Sequence, residues 1–407
     1  MASLARVAWT ERSRADERLL LVVDLRPVAG VAVAMILIGA PALAAPLGRL
    51  SSPFALLVVL PPLALALEAF GWRDRLARRL ARIRRPLARL LTTYAVWLGT
   101  SSLLTLDVAA VAAASVGIAV ADRDAERRWQ LGGAILGANV GSMLLPFSNL
   151  TNLVLVSATG LGFAAYVATA AGPALAAALA VGLLFAARAR GAIGDPAQED
   201  VPDQDRVVPA PTDVRDSLAR AAGGVAVLGA VAAVAAGLVG ADVAVPFAVS
   251  GGILAGVAVA TGRLDVGAIA RSVPVAGLAV IAIAAIASEP IGSAAGLLPR
   301  PDASLGGLLL ALVVGGAFAA VANNLPAAAF GAVWLVGMHP ATVVAYLLGT
   351  NVVALATPHG SIATILARAV GHRHGVRTPA TRYLRTAWGY AAAGAAAGLI
   401  ALVLVAR

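Results

Sequence analysis

The chain of 407 residues is 60% hydrophobic and only 13% charged, more apolar surface than a water-soluble domain can bury, so its class is an all-α polytopic membrane protein. The net charge of +10 comes from arginines at the ends of apolar runs, which reads as an orientation signal and not as nucleic-acid binding. With no cysteine, disulfides, thiolate metal sites and thiol chemistry are excluded.

Residues 1–26 are polar, lack a cleavable signal pattern and are expected in the cytoplasm. Apolar runs follow near 27–47 and 53–71. Arginines then crowd the stretch from Arg73 to Arg89, so this loop is expected inside the cell, with the N-terminus on the same side. The next apolar stretch, 89–121, ends at Arg123, Arg127 and Arg128, so both of its ends read as cytoplasmic. Each arm has about 16 residues, or roughly 24 Å of helix against a core of about 30 Å. The spacing predicts a re-entrant helical hairpin whose tip, "LTLDVA", lies around Asp107; two short tilted spans are the alternative.

A crossing over 131–160 contains "LLPFSNLTNLVL", and 163–187 returns to Arg188 and Arg190. Residues 190–217 are acidic and Pro-rich and read as a cytoplasmic linker. It divides a first half, 27–189, from a second, 218–407. The second half has runs near 218–240, 244–261 and 270–288. A second pair of short arms, 304–322 and 325–338, has "VANNLPA" at its tip, near Asn324. A crossing over 341–371 and a last span over 386–406 complete the chain. Charge alone thus gives about nine spans and two hairpins that enter from opposite sides, which is an inverted repeat.

Sequence supports the repeat. "GANVGSMLLPFSNLTNLV" from Gly137 aligns without a gap on "GTNVVALATPHGSIATIL" from Gly349, matching Gly137/Gly349, Asn139/Asn351, Val140/Val352 and Pro146/Pro358. Pro146 and Pro358 are expected to interrupt their helices and free carbonyls at mid-depth. The candidate solute-binding groups are Ser148, Asn149, Thr151 and Asn152 from one half and Asn323, Asn324, Thr357, Ser361 and Thr364 from the other.

"PFSNLTNL" (146–153), "NNLPA" (323–327) and "TPHGSIAT" (357–364) resemble the signature stretches of the arsenite efflux permeases, within the wider ion transporter superfamily. The resemblance covers both halves. It implies two re-entrant hairpins, two discontinuous helices, a scaffold and a mobile transport domain. It also implies elevator-type export of As(III) or Sb(III) against entering protons across a bacterial cytoplasmic membrane. Some relatives work with a soluble ATPase subunit, and a homodimer is a further possibility. The chain departs from the pattern at Ala114-Ser115, where the family has Thr-Pro, and at His359, where it has an aliphatic residue.

Asp107 is the carboxylate placed at a hairpin tip and is the proton-coupling candidate, with an N-cap as the structural alternative. His359 is a second relay candidate. No arginine falls among the candidate groups, so a neutral solute such as As(OH)3, or a cation, suits them better than a multivalent anion. Without thiols, As(III) would be held through its hydroxyls. A sodium/proton antiporter and an organic-anion or sulfate symporter are the rival readings. No ATP-binding loop or catalytic triad is present, so no enzyme, no organic cofactor and no resident metal are expected; the driving force is a gradient of protons or of Na+.

Overall fold

The computed structural model describes residues 51–193, 213–273 and 295–406. The expected N-terminal segment, the run 27–47, linker residues 194–212 and most of the run 270–288 lie outside the described residues.

Every regular element among the described residues is helical. Helices α1 (Ser51–Ala69) and α2 (Trp72–Ala81) meet at a bend of 62°, turned at left-handed Gly71. The arginine-rich loop expected here is therefore largely a helix. It buries Asp74, Ala77, Arg78, Leu80 and Ala81 and leaves Arg79 exposed. Helices α3 (Pro86–Leu103) and α4 (Leu106–Val120) form the first hairpin, with extended backbone at Leu104 and Thr105. Pro86 starts α3, where its missing N–H costs nothing.

The first broken helix is α5 (Asp124–Gly141), a 3-10 turn (Pro146–Ser148) and α6 (Leu150–Thr159). It starts at Asp124, seven residues earlier than the sequence suggested, and α6 ends at left-handed Gly160. Helix α7 (Phe163–Ile193) follows, then α8 (Asp213–Leu238), α9 (Ala244–Ala260) and the short α10 (Val266–Ser272). The second hairpin is α11 (Leu305–Ala322) and α12 (Asn324–Trp334). The second broken helix is α13 (Pro340–Asn351), a 3-10 turn (Val353–Ala356) and α14 (Ile362–Arg373), and α15 (Ala380–Val405) ends the chain. Among the described residues four helices are long and apolar enough to cross a membrane, or five with the bent α1–α2 pair. The hairpins and breaks cut other apolar helices, such as α4, α6 and α13, below that length.

The halves pack reciprocally. Helix α3 lies on α5 and α11 on α13, while α4 of the first half lies on α14 and α12 of the second lies on α6. Glycines at the aligned positions permit the close approach. A Cβ at Gly137 would stand 2.9 Å from the Tyr94 carbonyl, and one at Gly349 would stand 2.3 Å from the Leu312 carbonyl. Two large apolar cores result among the described residues, beside a small cluster of Ala319, Ala327 and Ala354. One joins the hairpins and broken helices to α7 and α15. The other joins α1, α8 and α9 to Leu145, Phe147 and Leu153 of the first break. Phe147 meets Phe247 of α9 edge to face at 5.0 Å within the second core, while Met143, Leu150 and Leu155 beside it belong to the first, so residues of the first break enter both.

Arg89 corrects a second expectation. It is not a surface orientation charge but is fully buried at the base of the first hairpin. Its Nε and Nη2 donate to the two Glu126 carboxylate oxygens at 2.7 Å each, and Nη2 also reaches Asp122 Oδ2 at 2.6 Å. This fork ties the start of α3 to the α4–α5 turn. Arg89→Ala strands two carboxylates, one of them buried, and is expected to cost about 3–5 kcal/mol, against roughly 0.5 kcal/mol or less for the exposed Arg79→Ala. Thermal unfolding of the purified protein in detergent measures both, and equal midpoints would reduce Arg89 to a topology signal.

Candidate functional site

Interrupting two helices inside a membrane leaves backbone groups that must find partners. In the first break, residues 142–149, the partners are internal. Ser148 Oγ donates to the Ser142 and Leu145 carbonyls at 2.6 Å each. Asn152 Nδ2 donates to the same two carbonyls at 2.8 and 3.3 Å. The carbonyls expected to face a solute here are thus already occupied. Nor does Pro146 itself stop the helix: α5 ends at Gly141 and Pro146 only opens the 3-10 turn. Pro358 likewise lies beyond the end of α13 at Asn351 and of the 3-10 turn at Ala356.

One side chain from the second half completes the first. Asn351 Oδ1 accepts from Asn149 Nδ2 at 2.6 Å and from Thr151 Oγ1 at 3.1 Å, while Asn351 Nδ2 donates to Asn152 Oδ1 at 3.0 Å. Asn149 also caps α6, its Oδ1 accepting from Thr151 N at 3.1 Å. Every member of this network is buried. The repeat-related bond exists on the other side, where Asn139 Nδ2 reaches Thr364 Oγ1 at 3.5 Å and the Ile135 carbonyl at 2.8 Å. Asn139 aligns with Asn351 and Asn152 with Thr364, so one contact recurs across the pseudo-twofold. Asn139, Ser142 and Asn351 were not among the candidates read from sequence. The signal was the Asn identity at 139 and 351, which the alignment contained.

The second break is stitched differently. Asn323 adopts φ 89°, the only positive φ outside glycine among the described residues, a region where Asn is tolerated. Its Oδ1 caps α12 by accepting from Leu325 N at 3.2 Å, and its Nδ2 donates to the His359 carbonyl at 2.7 Å. Asn324 N donates to the Gly360 carbonyl at 2.9 Å, and Thr357 Oγ1 to the Ala320 carbonyl at 3.1 Å. The second hairpin tip is therefore fastened to the second break through backbone. His359 contributes its carbonyl, and its ring is exposed.

Three buried polar atoms of this region have no hydrogen-bond partner among the described residues: Asn139 Oδ1, Asn324 Oδ1 and Ser361 Oγ. Ser361 is the N-cap of α14 but makes no capping bond, unlike its counterpart Asn149. Thr105 at the start of α4 makes none either. Asp107 follows in the first turn of α4, so it is not the cap, and no hydrogen bond or ion pair holds its partly exposed carboxylate among the described residues. No metal-ligating cluster is found among the described residues, and Arg368 reaches the second break through its Nη1, which donates to the Pro358 carbonyl at 3.4 Å.

The chain matches the model of a family described as citrate transporter over residues 19–360. No curated protein matches it. Among solved structures it is similar to the YdaH transporter of Alcanivorax borkumensis, described as having an unusual topology. The two share 15% identity, 88% of this chain and 86% of that one are covered, and the TM-score is 0.53, a likeness of fold.

The network makes an energetic prediction. Asn351→Ala deprives Asn149, Thr151 and Asn152 at once, each buried group left unpaired costing about 1–3 kcal/mol. Asn139→Ala removes one long cross-half bond and is expected to cost less. A double-mutant cycle of Asn351→Ala with Asn152→Ala should give a coupling of roughly 0.5–3 kcal/mol in thermal or denaturant unfolding. Additive losses would show that the two carboxamides merely coexist.

Proposed function

We propose, from the premise that the chain belongs to the citrate transporter family of the ion transporter superfamily, that this secondary transporter exports the uncharged trihydroxy acids of As(III) and Sb(III) in exchange for protons. The observation that carries the reading is the balance of donors and acceptors. Asn139 Oδ1 and Asn324 Oδ1 are unpartnered acceptors, and Ser361 Oγ can accept as well as donate. A solute with three O–H donors suits that set. A carboxylate brings only acceptors, which the Asn139 and Asn324 oxygens do not complement.

Asp107 is the proton carrier of this reading. It is an unpaired carboxylate on the return arm of a hairpin, and that arm packs on α14 of the opposite half. His359, with its ring exposed at the second break, is the relay nearest the unpartnered Ser361 in sequence. The transport cycle of this reading is an elevator, in which the hairpins and broken helices move against α1, α8 and α9 and the contacts of Leu145, Phe147 and Leu153 with those helices are exchanged. A proton gradient suffices for net export, so neither a soluble ATPase subunit nor a homodimer is needed for the coupling. On this reading the N-terminus lies on the cytoplasmic side of a bacterial inner membrane, an orientation that the arginine distribution supports.

A second reading has its own observation. Four helices, α4, α6, α12 and α14, begin at the tips and breaks, and helix N-termini favour anions. Together with the family's description this favours a polycarboxylate such as citrate, carried with cations that occupy the acceptor oxygens. Everted vesicles holding the full chain separate the two. Arsenite and antimonite are expected to drive proton movement, and Asp107→Asn to abolish it without loss of protein. Asn324→Ala and Ser361→Ala should weaken apparent affinity about 2- to 12-fold each. Citrate-driven flux with no response to arsenite would replace the first reading by the second, and a response to Na+ or Li+ alone would exclude both.

A further inference from the structure

Away from the breaks, a cavity of about 280 Å³ lies between α5, α14 and the turn into α15. Arg368, His372, Arg377 and Thr378 line one part of it, and Leu131, Val376 and Pro379 the rest. No acidic residue lines it among the described residues. None follows Asp302 in the chain, whereas residues 368–385 carry Arg368, Arg373, Arg377, Arg382 and Arg385. The cationic character of the cavity is therefore uncompensated from its own segment.

Arg368 is held in place. Its Nη2 donates to the Thr378 carbonyl at 3.0 Å, its Nη1 to the Pro358 carbonyl at 3.4 Å, and its guanidinium lies over the Tyr383 ring at 5.4 Å. Its Nε is buried and has no partner among the described residues. A guanidinium fixed on two nitrogens and unsatisfied at the third is a donor prepared for an oxyanion. Thr378 adds a hydroxyl, and His372 and Arg377 are exposed at the rim. The apolar remainder does not suit a fully hydrated free ion. It suits a ligand with a charged end and an apolar body.

We propose that this cavity binds the phosphate of an anionic phospholipid headgroup, with Arg368, Arg377 and Thr378 on the phosphate and Leu131 and Val376 against the glycerol and first methylenes. Basic pockets between transmembrane helices on the cytoplasmic side have this chemistry, and the arginines around 368–377 mark that side. The site is independent of what the transporter carries. It touches the transport machinery at one point, the Arg368 bond to the Pro358 carbonyl in the second break.

The test uses the purified full chain in neutral detergent, titrated with phosphatidylglycerol, phosphatidylcholine or inorganic phosphate. Thermal midpoints and native mass spectrometry are the readouts. Phosphatidylglycerol is expected to raise the midpoint saturably and to remain bound, with phosphatidylcholine inactive. The double variant Arg377→Gln, His372→Gln should keep its lipid-free midpoint and bind phosphatidylglycerol about tenfold or more weakly. Equal stabilisation by both lipids, or unchanged binding by the variant, overturns the proposal. Inorganic phosphate that alone reproduces the shift and displaces the lipid assigns the pocket to a free anion and overturns the lipid source. Should the variant not purify, phosphatidylglycerol against phosphatidylcholine on the wild type decides.

Discussion

A single carboxamide, Asn351, holds the first break together from the other half of the chain. It meets Asn149 at 2.6 Å, Thr151 at 3.1 Å and Asn152 at 3.0 Å, in a region with no solvent to take their place. Inside a bilayer an interrupted helix persists only if its freed polar groups are satisfied by protein. The first half cannot do this with its own residues alone. Ser148 and Asn152 take the Ser142 and Leu145 carbonyls, which leaves the far sides of Asn149 and Asn152 for Asn351. The broken helix of one half is thus a stable structure only in the presence of the other.

That dependence needs backbones in close contact, which the glycines provide. At Gly349 any side chain would strike the Leu312 carbonyl and the Gly316 amide, and at Gly137 the Tyr94 carbonyl. Each hairpin's first arm is thereby seated on the intact part of its own broken helix, and its return arm is carried to the post-break helix of the opposite half. Packing and hydrogen bonding give one geometry at two levels. Van der Waals contact sets the approach, and the carboxamides set the register.

Much of this was legible in the sequence, because hydropathy and arginine position act at long wavelength. Two helical hairpins fall in the stretches those signals marked, turning at 104–105 and 323 where the tips were read near 107 and 324. The asparagines of the breaks were legible as polar groups too costly to bury idly. What escaped were roles set by tertiary partners. Arg89 looks like its neighbours in an arginine-rich stretch, and only the approach of Glu126 and Asp122 makes it a buried ion-pair centre. Proline was read as the cause of each interruption, but the helices end before Pro146 and Pro358 are reached. Asn139 and Asn351 lie in the intact segments, so nothing local distinguishes them from ordinary buried polar residues of a membrane helix.

The two breaks are alike in backbone and unlike in chemistry, and this bears on how the molecule can work. In the first break Asn149 caps α6 and is itself held by Asn351, so its groups are saturated. In the second, Ser361 stands at the matching cap position with no partner, and Asn324 beside it keeps a free oxygen. Two saturated breaks would make a rigid core with nothing to offer a solute. Two unsaturated ones would leave too many buried polar groups unpaired for the fold to tolerate. One of each joins a fixed frame to a receptive edge. Repeat symmetry thus gives two like backbones, and its local failure leaves one of them with unpaired polar groups among the described residues.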